Sequence, residues 1–171
     1  MLTIAMTHDP ESTSVQTFAI CTVALYIKFF ITARFQAAAK YNVGGRPPED
    51  AFFARLAGKE PIPQSYGTDQ DEDDLRSKQL LERERRWDRI IMNDLECIPF
   101  SLLVFAAALF LECNDKLQTW AMIIFTIARI AYTFVYAMAL QPHRSLVALI
   151  AALAVFVSIG DIIAKVLALN K

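Results

Sequence analysis

The chain has 171 residues, of which 55% are hydrophobic and 20% charged. Soluble domains run at about 45–50% apolar with glycine included, so this excess argues against an ordinary soluble domain and for a membrane protein. Five Gly and seven Pro exclude a collagen-like or low-complexity chain. The three cysteines (Cys21, Cys97, Cys113) are too few and too scattered for a disulfide framework or a zinc site, and a net charge of −1 gives no footprint for nucleic acid.

Four long apolar stretches follow in chain order. The first, about Val15 to Ala33, is interrupted by Lys28. The second, about Ile90 to Leu111, carries Asn93, Asp94 and Glu96 near its start. The third, Leu117 to Leu140, contains Arg129, and the fourth, Ser145 to Leu169, contains Asp161 and Lys165 near its end. About 20 residues at ~1.5 Å each cross a hydrocarbon core of about 30 Å, so each stretch is long enough to span. Strand-type alternation is absent, and a backbone in lipid must satisfy its own hydrogen bonds, so the expected fold is all-α: an integral membrane bundle of four transmembrane helices in one domain. With their polar extensions the helices are expected at about 15–39, 76–111, 117–140 and 145–169. A cleaved signal peptide is not expected, because no basic region precedes the first stretch, which is long and contains Lys28.

The segment of about 40–75 reads as a polar loop, with Pro47-Pro48, Pro61, Pro63 and an acidic run from Asp69 to Asp74 that is expected to be a solvated tip. The charged stretch Leu75 to Arg89 reads as an extension of the second helix into water. Lys and Arg set membrane orientation. They crowd into this first loop, and Arg144 lies in the turn before the fourth helix, whereas the opposite turn has only Lys116 and the N-terminal tail has none. Loops one and three are therefore expected on the cytoplasmic side.

Charges inside membrane helices cost about 2.5–3.5 kcal/mol at the centre and need an account. Arg86, Arg89, Asn93 and Glu96 are spaced three, four and three residues apart, which puts them on one helical stripe. The stripe admits two readings: an internal salt-bridge ladder, or a site for a small zwitterion carrying carboxylates and an amine. Arg129, Tyr132, Thr133 and Tyr136 share a face of the third helix, where Arg129 is positioned to neutralise Glu96 or Asp94. Arg144 and Ser145 stand at the cytoplasmic mouth, where snorkelling to headgroups is the plain alternative for Arg144. Asp161 and Lys165 form an i, i+4 pair read as structural. No phosphate loop, dinucleotide fingerprint or His-rich metal motif is present.

The run R-W-D-R-I-I-M-N-D-L-E-C-I-P-F over Arg86–Phe100 resembles the R-x-x-R-x-x-x-N-D-x-E-x-I-P-F block of the MAPEG superfamily, membrane-associated proteins of eicosanoid and glutathione metabolism. Pro48-Glu49-Asp50 resembles that family's P-E-D after helix one. Ala128 to Tyr136, followed by Arg144-Ser145, resembles its third helix and the start of its fourth. The three blocks occur in order, and the likeness is to the branch of microsomal glutathione transferase and the inducible prostaglandin E synthase.

The resemblance implies a homotrimer in the endoplasmic reticulum, binding glutathione between protomers near the cytoplasmic side. It implies glutathione contacts for Arg89, Asn93, Glu96 and Tyr136, and places Arg129, Tyr132 and the basic end of helix one, Arg34 or Lys40, with that binding set. It implies that Arg144 stabilises the thiolate, that Ser145 lies beside the sulfur, and that Asp50 assists prostaglandin isomerisation. Met92 stands where the prostaglandin synthase has a basic residue, Tyr132 where both relatives have His, Ala148 where both have an aromatic, and the first loop is longer. These departures favour a glutathione transferase for hydrophobic electrophiles, with peroxidase activity toward lipid hydroperoxides as an extension, over a prostaglandin E synthase. A non-catalytic lipid-binding scaffold is the alternative from another class.

Overall fold

The structure is a computed structural model and describes residues 12–58, 60–67 and 75–170. The protein is an all-α membrane protein. Its helices are α1 (Thr13–Asn42), the short α2 (Ala51–Leu56), α3 (Leu75–Phe110), α4 (Asp115–Ala137) and α5 (His143–Leu169), with a 3-10 turn at Pro48–Asp50 before α2. Four of them, α1, α3, α4 and α5, are long and apolar enough to cross a membrane. Pro99 lies inside α3, a position that membrane helices tolerate because neighbouring groups satisfy the freed carbonyl. The acidic run Asp69 to Asp74 lies outside the described residues.

The chain divides into two compact units, one from Met1–Lys28 and Leu95–Lys171, the other from Phe29–Asp94. The core of the first unit is built on Leu25, Phe105, Met122 and Phe125, all almost fully buried. Phe105 and Phe125 meet edge to face, with centroids 5.6 Å apart. Ala121 and Ala128 on α4 and Ala151 and Ala154 on α5 are also buried in this core. Small side chains of this kind let membrane helices approach closely and gain van der Waals contact.

Polar groups staple one end of this unit. Asn114 caps α4, its side chain accepting from the Leu117 amide at 3.1 Å. Ser158 of α5, fully buried, donates to Gln118 Oε1 of α4 at 2.7 Å. Gln118 Nε2 in turn donates to Asp161 Oδ2 at 2.8 Å, which also accepts from the Asn114 amide at 3.0 Å. Lys165 Nζ donates to the Glu112 carbonyl at 3.0 Å. Asp161 and Lys165 are therefore structural, but each turns to a different partner across the α3–α4 turn. That turn exposes backbone donors and acceptors that no helix satisfies, and they compete with the i, i+4 ion pair.

In the second unit, Phe35 of α1 stacks on Trp87 of α3 with centroids 5.1 Å apart, and Gln36 Nε2 donates to Asp88 Oδ1 at 2.7 Å. The segment after α1 is an organised loop. Gln64, 7% exposed, donates to the Tyr41 and Ile62 carbonyls at 2.9 and 3.1 Å and accepts from the Arg46 amide at 3.1 Å. Gly44 takes a φ of +70°, and a Cβ there would lie 2.8 Å from the Pro63 carbonyl oxygen, so the close approach requires glycine.

Candidate functional site

The sequence-selected residues fall in both units. In the first, Arg129, Tyr132 and Tyr136 line one face of α4, as spacings of three and four residues dictate. Tyr132 and Tyr136 meet edge to face, with centroids 5.6 Å apart and planes at 60°. The Arg129 guanidinium carbon sits 4.9 Å from the Tyr132 centroid. Residues 138–142, with Ala139 at a φ of 57° and a cis Gln141–Pro142 bond, lead into α5. Arg144, in the first turn of α5, places its guanidinium carbon 4.7 Å from the Tyr136 centroid. Arg129, Tyr132, Tyr136 and Arg144 thus form one continuous ladder of cation, ring, ring and cation.

The exposure along this ladder is graded. Arg129 and Tyr132 are 2% and 6% exposed, Tyr136 and Arg144 are half-buried, and Ser145 beside them is exposed. Arg144 and Ser145 sit in the first turn of α5, where the helix dipole favours an anion. The Ser145 amide is bonded back to the Pro142 carbonyl at 3.0 Å, while its hydroxyl stays on an exposed residue. This corner therefore offers a planar cation and a hydroxyl on adjacent residues. Glu96, in the same unit, is exposed, whereas Arg129 is buried.

In the second unit, Arg34 and Arg89 are exposed and Asn93 is half-buried. Asp94, the neighbour of Asn93, is 1% exposed. Asp50 is held by Arg46, whose Nη1 lies 2.8 Å from Asp50 Oδ2. Arg46 stands four residues before Asp50, just ahead of the 3-10 turn that Asp50 closes. Gln118, which bonds Ser158 and Asp161, and Gln64, which organises the loop after α1, are not marked by any sequence pattern. Neither had a periodic signal, since each acts through groups remote in sequence or on irregular backbone.

The corner at α5, with a guanidinium and a hydroxyl on adjacent residues, has the chemistry to stabilise an anion. No curated protein and no solved structure matches the chain. A family model described as the MAPEG family matches residues 15–164, nearly the whole described chain. On that match, and on four spanning helices with no strand among the described residues, the chain belongs to the MAPEG family, multi-pass membrane proteins of glutathione and eicosanoid metabolism.

Proposed function

We propose that the protein is a glutathione-dependent membrane transferase that joins the glutathione sulfur to hydrophobic electrophiles taken from the bilayer. The observation that carries this reading is the pairing of Arg144 with the Tyr136 ring at the start of α5, next to exposed Ser145. Glutathione supplies a thiol whose ordinary pKa of about 8.5 leaves little thiolate at neutral pH. A guanidinium and a hydroxyl donor favour the anion over the neutral thiol. Arg89 is suited to a carboxylate, which guanidinium binds in a bidentate fork, and Glu96 to an ammonium. Holding a nucleophile against a lipid-borne electrophile contributes through proximity.

Peroxidase activity toward lipid hydroperoxides extends the same site. Asp50 engaged by Arg46 favours conjugation over prostaglandin isomerisation, for which Asp50 was the proposed acid. The same reading places the protein in the endoplasmic reticulum as a homotrimer with its site toward the cytoplasm. The test is conjugation of glutathione to an aryl halide by purified protein in detergent, beside Arg144→Ala. The expected result is measurable conjugation and a thiolate absorbance on adding glutathione, both lost in Arg144→Ala. Wild-type protein without conjugation or thiolate would remove the transferase reading and favour a lipid-binding scaffold.

A further inference from the structure

The ladder on α4 separates two kinds of residue. Tyr136, Arg144 and Ser145 keep exposed surface at its outer end. Arg129 and Tyr132 are 2% and 6% exposed, which leaves almost no surface for a ligand. Both are nevertheless linked to Arg144: the Arg129 guanidinium lies 4.9 Å from the Tyr132 centroid, Tyr132 meets Tyr136 edge to face at 5.6 Å, and Tyr136 faces Arg144 at 4.7 Å. We propose that Tyr132, backed by Arg129, is a positioning residue that fixes the Tyr136 ring and through it the orientation of Arg144.

The physical basis is the aromatic quadrupole. An edge-to-face pair directs the positive edge of one ring at the negative face of the other, which fixes the angle of both. A ring held at a fixed angle presents a fixed face to a guanidinium. Arg carries several rotatable bonds, so an Arg without this surface would spread over many rotamers, each one less effective at a developing anion. In this role the ring of Tyr132 matters and its hydroxyl does not. The inference rests on the proposed function for its consequence, but its geometry can be tested without glutathione.

The first measurement is modification of purified protein by phenylglyoxal, with the rate at Arg144 read by peptide mass spectrometry. Tyr132→Leu is expected to speed modification of Arg144 by about threefold to tenfold, the range expected for losing an aromatic pair. Tyr132→Phe restores the slow rate. Tyr132→Met, which is apolar and has no ring, serves if the leucine variant does not fold. Equal rates in all variants overturn the proposal.

The second measurement titrates the thiolate absorbance of bound glutathione against pH. Tyr132→Leu is expected to move that titration upward, and Tyr132→Phe to return it toward wild type. A Phe variant that behaves like Leu overturns the proposal, because it makes the hydroxyl a ligand contact. A wild-type protein that forms no thiolate, while the phenylglyoxal rates change as expected, overturns the transferase reading and leaves the positioning role standing.

Discussion

The guanidinium of Arg144 lies over the ring face of Tyr136, 4.7 Å from its centroid, where α5 begins and α4 has just ended. This contact ties the residue most suited to an anion to the aromatic ladder of α4. Arg144→Lys keeps the charge but loses the planar fork, and lysine is a compact, strongly hydrated point charge. The expected result is a fall in conjugation rate of about tenfold or more, within the range for losing an oriented anion donor. Tyr136→Phe keeps the ring face and is expected to retain more activity than Tyr136→Leu. Steady-state conjugation across the three variants checks the order.

The Ser158–Gln118–Asp161 chain predicts a graded loss of stability. Ser158→Ala removes one buried interhelical hydrogen bond, for which membrane double-mutant cycles give about 0.6 kcal/mol on average. Gln118→Leu leaves both the Ser158 hydroxyl and the Asp161 carboxylate short of a partner, and is expected to cost about 1–3 kcal/mol. Thermal unfolding in detergent micelles, read by circular dichroism, should rank Gln118→Leu below Ser158→Ala.

Two glycines of the first loop separate backbone strain from collision. Gly44 and Gly58 have φ of +70° and +68°, so alanine at either is strained by about 1–2 kcal/mol. At Gly44 a Cβ would also meet the Pro63 carbonyl oxygen at 2.8 Å, whereas at Gly58 it meets no atom of the described residues within 4 Å. Gly44→Ala should therefore accelerate proteolytic cleavage between α1 and α3 clearly more than Gly58→Ala does. Limited trypsin digestion of the two variants makes the comparison.

Cys113, in the turn between α3 and α4, offers a readout of the stapled end. Burial first, and the Asp161 carboxylate second, push its thiol above the ordinary value, while Lys165 acts in the opposite direction. Only the thiolate is alkylated. With Cys21 and Cys97 replaced by alanine, modification by a neutral maleimide should be slow at neutral pH and rise through a range above that of a free thiol. Asp161→Asn removes a charge that opposes ionisation, so the thiol pKa falls and alkylation at a given pH speeds up. Lys165→Met removes a charge that assists ionisation and should slow it.

Much of this architecture was legible in the sequence. The spanning helices follow from apolar length, and the shared face of Arg129, Tyr132 and Tyr136 follows from spacing on one helix. The likeness of Arg86–Phe100 to a known block named the family that the family model then matched over residues 15–164. The junction of Arg144 with Tyr136 was not legible from periodicity, because it depends on how residues 138–142 turn the chain. Gln64 was illegible for a related reason: a lone glutamine after Pro63 gives no pattern, yet its amide joins three backbone groups.

The sequence by itself determined what local physics determines: which segments partition into lipid, where they break, and which side chains share a helical face. Hydrophobic length and the helical period depend only on neighbours in the chain. The tertiary structure alone decided which polar groups meet. It turned Asp161 to Gln118 and Asn114 and Lys165 to the Glu112 carbonyl, and it graded the α4 ladder from buried Arg129 to the half-buried Arg144. Those outcomes rest on donors and acceptors brought together from distant parts of the chain, and on burial that exists only once the helices have packed.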